Sequence, residues 1–201
     1  CSIIWVFSTT TFAKDGDISK QSDKIKTAEV GKKVVDSLPA VDICKLTVFA
    51  NDRMQYTDTK GNRLGAISVP KVCKKFTVRL EYQGKLPNTV MGHNLILTEE
   101  QHIREISSLA VKQGVAKGYL PPLDDSRVLA ASSKLIGGGA NDYREDEIVV
   151  DMTRILPEKK YAFWCSFPGH VSMMKGSFKI LEDSPVSTKK KTSSEITKKK
   201  G

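Results

Sequence analysis

Apolar and polar positions alternate through much of the middle of the chain. In residues 76–82 (FTVRLEY), Phe76, Val78 and Leu80 fall on one side of an extended segment, with Thr77, Arg79 and Glu81 on the other. This is the pattern of a strand with one buried face. Residues 44–50 alternate in the same way. Residues 93–97, 147–152, 161–165 and 177–181 are further strand candidates, separated by turn-forming Gly, Pro, Asn and Asp. Several short strands with turn signals between them predict an all-β fold, a sandwich or barrel. One segment departs from the period of two. Thr98-Glu-Glu-Gln101 reads as a capping box, and Ile103, Ile106 and Ala110 follow at helical spacing until Gly114, Gly118 and Pro121. A helix inserted between strands is expected there.

The alternation stops at both ends. Residues 14–40 are Lys, Asp, Ser and Gly with scattered Val, too polar to bury a face, and read as a linker in which 30–38 is one more strand candidate. Residues 183–201 carry two Lys-Lys-Lys runs and read as a solvated basic tail. Residues 3–7 (IIWVF) open two readings that stand side by side. One is the end of an export signal with processing near Ala13; the other is a mature lipoprotein whose Cys1 bears the lipid. The expected organisation is a leader or anchor plus linker over 1–40, one folded domain over 41–182 and a tail over 183–201.

The 201 residues are 39% hydrophobic and 27% charged, which suits a compact domain and excludes wholesale disorder. No apolar run approaches the roughly 20 residues of a membrane-spanning helix. A net charge of +9 would raise nucleic acid as a partner, but the excess is uneven. Residues 1–43 hold six Lys and six acids, while 183–201 hold six Lys against Asp183 and Glu195. With aromatic residues at 7% and no interleaving of Arg with aromatics, no nucleic-acid partner is expected.

Of the cysteines, Cys44 opens one predicted strand and Cys73 precedes another, 29 positions later. A bridge between them would pin two antiparallel strands near their ends and imply an oxidising compartment, in keeping with export. Cys165 is left for chemistry. Residues 163–176 (FWCSFPGHVSMMKG) set Cys165, His170 and Met174 five and four positions apart on one loop after a strand. Thiolate and thioether are soft donors and imidazole is intermediate, so the set favours copper over Mg or Ca and leaves Zn short of a fourth strong ligand. A second imidazole, His93, lies within Met91-Gly-His-Asn94. Two His and one Cys, with a distant Met sulfur on the axis, form the donor pattern of an electron-transfer copper site.

These motifs resemble the azurins, small blue copper proteins of the cupredoxin family, over about residues 41–182. The resemblance runs through 51–55 (NDRMQ), 86–94 (LPNTVMGHN), 124–128 (DDSRV), 134–137 (KLIG) and 165–176. It implies a cupredoxin-like Greek-key β-sandwich of about eight strands with one helical insertion. It also implies one type 1 copper ion held in a plane by His93, Cys165 and His170, with Met174 on one axis and the Gly92 carbonyl opposite. Met173 is a rival for the axial place, but the step from His170 to Met174 is the azurin spacing. By the same resemblance Asn94 ties its loop to Ser166, backbone N–H groups of Asn94 and Phe167 point at the sulfur, and Pro168 restricts the loop. An apolar patch of Met54, Leu86, Val90, Met91, Phe167, Pro168 and Met173 is expected around the edge of His170. There electrons would pass to and from redox proteins such as a c-type cytochrome or a reductase.

Some positions depart from the family pattern. Tyr82 stands where azurins commonly have a titrating His, and Leu95 where many have a buried Trp. The Cys44 to Cys73 interval is longer than usual, with Lys60-Gly-Asn62 suggesting an extended turn, and His102 is expected to face solvent on the helical insertion. The function implied is that of an exported, periplasmic carrier of single electrons, with a lipoprotein anchored through Cys1 and facing the periplasm as the alternative location. Copper storage or delivery is the alternative function and would call for an exposed, flexible Met- and His-rich site. A copper oxidase needs a second centre, and after His93 and His170 only His102 remains, so no enzymatic activity is expected.

Overall fold

The computed structural model describes residues 42–181. The leader and Cys1, the linker with its strand candidate and the Lys-rich tail lie outside the described residues. The strands are β1 (Lys45–Asn51), β2 (Gln55–Thr57), β3 (Ala66–Pro70), β4 (Lys75–Tyr82), β5 (Ile96–Glu99), β6 (Val128–Ala131), β7 (Glu145–Asp151), β8 (Tyr161–Trp164) and β9 (Lys175–Leu181). They form one sheet of order β2-β1-β4-β7 and another of order β3-β9-β8-β5-β6. Two α-helices accompany them, the single turn α1 (Asn88–Met91) and the longer α2 (Ile103–Gln113). The architecture is the cupredoxin β-sandwich.

The period-two segments bury the faces they predict. Phe76, Val78, Leu80 and Tyr82 of β4 point into the core with Ile148 and Val150 of β7, while Arg79 pairs with Glu81 and Glu145 outside. Phe163, Tyr161 and Phe178 face them from the second sheet. Each fully buried side chain of this size contributes about 1.5–3 kcal/mol, so the alternation itself accounts for the two-layer packing. A smaller core lies on the other side of the second sheet, where Ile96, Val128 and Trp164 pack against Ile106 of α2. The inserted helix is amphipathic because that outer face needs a cover.

Four expectations are corrected. The bridge between Cys44 and Cys73 is present, with Cα atoms 5.6 Å apart, but it joins parallel strands, since β1 and β4 run in the same direction from Lys45↔Thr77 to Ala50↔Tyr82. Both cysteines precede their strands, so a bridge at like ends requires that geometry. The capping box does not form. Thr98 and Glu99 stay in β5, Glu100–His102 make a 3₁₀ turn, and the Gln101 amide donates to Glu99 instead. His102 is half-buried in that turn rather than solvent-facing on α2. His93–Leu95 are not in the β5 ladder: His93 forms a bridge with Ile136, and the Leu95 N–H donates to Ser132 Oγ.

The strands that the pattern does not announce, β2, β3 and β6, are all edge strands. Edge strands are short and paired on one side, and β3 even ends in a proline, which only an edge tolerates. Tracing strand directions places the ends of β1, β4, β6 and β8 and the starts of β3, β5, β7 and β9 at one end of the sandwich. The candidate ligands sit at that end, and the disulfide at the other.

Candidate metal centre

The loop from β8 to β9 is a closed hairpin. Trp164 pairs with Lys175, and past that pair the Cys165 N–H donates to the Met174 carbonyl at 3.0 Å. Cys165 and Met174 thus face each other across the loop's neck. Within it the N–H groups of Met173 and Met174 both donate to the His170 carbonyl, at 3.0 and 2.8 Å, and that of His170 to the Phe167 carbonyl at 3.0 Å. Gly169 supplies the turn with φ +84°, a conformation that costs other residues energy. The spacing of five and four residues lets this double turn bring thiol and imidazole together and set Met174 opposite Cys165 at the neck.

His93 arrives from the β4–β5 connection. Two backbone hydrogen bonds to Ile136, at 3.0 and 2.8 Å, hold it. Gly92 is buried before it, where a Cβ would collide with the Asn88 carbonyl and the Leu135 side chain. Asn94 then joins three segments: its Oδ1 accepts from the Ser166 N–H at 2.9 Å, and its Nδ2 donates to the Gly118 carbonyl at 3.0 Å. Ser166 Oγ lies 3.0 Å from Asn94 Oδ1 and donates to the Tyr119 carbonyl at 2.5 Å.

The result is a buried cluster. One ligand atom from each of His93, Cys165 and His170 lies within 4.8 Å of the others. Cys165 Sγ is 3.7 Å from His170 Nδ1. His93 and Cys165 are fully buried, Met174 is 1% exposed and His170 3%, which makes His170 the closest of the four to solvent. Neither ring nitrogen of His93 has a hydrogen-bond partner. In a neutral imidazole one of these nitrogens carries the proton and only the other offers a lone pair, so a bound cation relieves the desolvation penalty of one of the two.

The electrostatics agree. Burial lowers the His93 pKa to about 3, with His170 adding to the fall, and burial lowers His170 to about 4. Both rings are therefore neutral at pH 7 and offer lone pairs. Burial pushes the Cys165 thiol up to about 11, against the pull of the Asn94 and Phe167 backbone N–H groups. A thiolate here needs a positive ion beside it. Neutral imidazoles, a thiol awaiting a cation and a thioether fit a soft transition metal.

Two side chains of the site are not announced by the sequence. Tyr56 of β2 is buried and its hydroxyl donates to the Asn94 carbonyl at 2.5 Å. Tyr119, at φ +50°, packs edge-on against Phe167. The only sequence signal for either is a polar aromatic in a segment that otherwise reads as a loop. Tyr82, in contrast, stands out as a departure from the family pattern. Its ring lies 5.5 Å from that of His93 and its hydroxyl bonds to Asp52.

Of the expected patch, Val90 is 59% exposed, Met173 43% and Leu86 38%. Pro168 is exposed too, Met54 and Met91 are half-buried, and Phe167 is buried with its ring 4.6 Å from that of His170. All lie on α1 or on loops at the cluster's end of the sandwich.

A cupredoxin sandwich enclosing two imidazoles and a thiol at one end defines a copper-binding electron-transfer protein. The family described as copper binding proteins, plastocyanin/azurin family, matches residues 43–181, and the chain belongs to it. Azurin of Pseudomonas fluorescens biotype B is 40% identical over 134 residues, 67% of this chain and 95% of that protein. Azurin of Pseudomonas aeruginosa is 38% identical over 137 residues, 68% of this chain and 84% of that one. Among solved structures, azurin Az-iso2 of the obligate methylotroph Methylomonas sp. strain J is similar with a TM-score of 0.60 and 32% identity, covering 69% of this chain and 98% of that one. The chain is a blue copper protein whose cofactor is a copper ion and whose partners are redox proteins.

Proposed function

We propose that the chain is an exported carrier of single electrons in the periplasm, serving redox proteins such as a c-type cytochrome or a reductase. His93, Cys165 and His170 would hold the copper, with Met174 and the Gly92 carbonyl as its further donors. The observation that carries this reading is the buried cluster of His93, Cys165 and His170, whose ligand atoms lie within 4.8 Å of one another. Copper supplies a reversible one-electron change between Cu(II) and Cu(I). The protein's part is to keep the donors still: Asn94 and Ser166 lock the two ligand-bearing segments together, and the hairpin neck fixes Cys165 against Met174. A frame that does not rearrange suits both oxidation states and keeps the electron step fast.

The enclosure of the site argues against storage or delivery, which needs a metal that can leave. Among the described residues this cluster is the only close group of three or more potential donors, and it is where a single copper ion would be held. The disulfide supports an oxidising compartment, and Cys1 as a lipid anchor is the alternative route to the same side of the membrane.

Two experiments bear on the reading. The copper-loaded protein is expected to show an intense visible band that bleaches with ascorbate and returns on oxidation. Met91→Lys is expected to keep that band while slowing electron self-exchange, because a charge in the apolar patch must be desolvated when two copies meet. An unchanged rate would remove the patch from the electron's route. The axial assignment is separable: Met173→Leu should leave the spectrum nearly as it was, and Met174→Leu should shift it. The reverse pattern would give the axis to Met173.

A further inference from the structure

The end of the sandwich that holds the cluster carries a charge pattern that neither the donors nor the apolar patch requires. Its patch-bearing loops, residues 51–54, 83–92, 114–119 and 165–175, contain four cations, Arg53, Lys85, Lys117 and Lys175, all of them exposed. Their one carboxylate, Asp52, is turned inward, where it accepts from the Tyr82 hydroxyl and the Lys85 N–H. A fifth cation is fixed at the patch itself, since Arg63 Nη2 donates to the Met173 carbonyl at 2.7 Å. Among the described residues none of these five is in an ion pair, whereas Lys45, Arg79, Arg127, Lys134 and Lys159 all are. Cations without an ion pair elsewhere can still have a carboxylate at hand: Lys75 and Arg154 act on Asp151, and Lys60 on Asp58. On these loops the exposed charge is of one sign; Asp142, on the adjoining loop, has its carboxylate engaged by the Asn88 and Gly139 N–H groups.

An apolar centre within a charged rim is how transient interfaces are built, with the rim selecting the partner by sign. We propose that this face docks a redox protein whose own contact surface is acidic around an apolar centre. The proposal rests on the electron-carrier reading and names the chemistry of its partner. The rim cations steer the encounter over about a Debye length, some 8 Å at physiological salt. Exposed ion pairs each add little to affinity, so the complex still parts quickly. A carrier that must release its partner after each electron gains from both properties.

The test uses the copper-loaded chain, reduced with ascorbate and oxidised in a stopped flow by hexacyanoferrate(III), an anion, or tris(phenanthroline)cobalt(III), a cation. Each oxidant takes one electron, leaving Cu(II) with Fe(II) or Co(II). Oxidation by the anion is expected to slow as salt is raised, and Arg53→Glu/Lys85→Glu to slow it at least about threefold at low salt. The same charge change at the disulfide end, Lys71→Glu/Lys74→Glu, should have a much smaller effect. Equal effects of the two variants would mean that only net charge is sensed and would overturn the proposal. With proteins as probes, a c-type cytochrome bearing an acidic haem-edge surface should outpace one bearing a basic surface. No preference, combined with rim-dependent binding to phosphatidylglycerol vesicles, would reassign the rim to an anionic lipid surface. Retention of the visible band shows that the variants keep their copper site. Absence of exchange with either oxidant would instead sink the electron-carrier reading, and with it this proposal; exchange without discrimination sinks the rim alone.

Discussion

Cys165→Ser is expected to abolish the intense visible band while leaving a folded protein. The band belongs to charge transfer from a thiolate to Cu(II), and a serine hydroxyl is a harder donor that stays protonated. Serine is close to cysteine in volume, and Cys165 is fully buried, so the change leaves no cavity. Its main structural cost is a buried hydroxyl, about 1–3 kcal/mol if unpartnered. The Asn94 and Phe167 N–H groups that now approach the sulfur are available to the oxygen and reduce that cost. Circular dichroism checks the fold, and absorption after addition of Cu(II) checks the site. A variant that remains blue and bleaches with ascorbate would show that the thiol is not a ligand.

Replacing Cys44 and Cys73 together by Ala is expected to lower stability by about 3–4 kcal/mol, the chain-entropy value for a loop of this size. For a folded unit of this length that corresponds to a fall in Tm of roughly 10 °C. The bridge lies ahead of the N-terminal ends of β1 and β4, and the cluster lies at the opposite ends. The copper spectrum should therefore be unchanged when both proteins are compared copper-saturated. Thermal unfolding followed at the visible band and by circular dichroism separates the two effects. An altered spectrum at low temperature would mean that the bridge shapes the site from a distance, contrary to the layout of the fold.

Much of the fold and of the site is legible in the amino-acid sequence. Phe76, Val78 and Leu80 announce a buried face because a strand's side chains alternate, whatever the strand pairs with. Ile106 and Ala110 announce a helix face in the same local way. Cys165, His170 and Met174 can be read together because a single hairpin loop holds them. Edge strands β2, β3 and β6 are not legible, since three to five residues paired on one side carry too little periodicity to stand out. Tyr56 and Tyr119 stay hidden for a related reason: each acts on the site through one hydrogen bond or ring contact made across the fold.

By itself the sequence determined the faces of its long strands, the inserted helix, the donor set and the loop that gathers three of the donors. These depend on spacing along the chain, and spacing is local. Only the tertiary structure decided that β1 and β4 run parallel, that Thr98 and Glu99 extend a strand instead of capping a helix, and that unpaired cations surround the patch. It also brought Asn94 to Ser166 across 72 positions, and with it His93 to Cys165. Such pairings depend on which loops close and which charges find partners, and that is settled by packing the two sheets together.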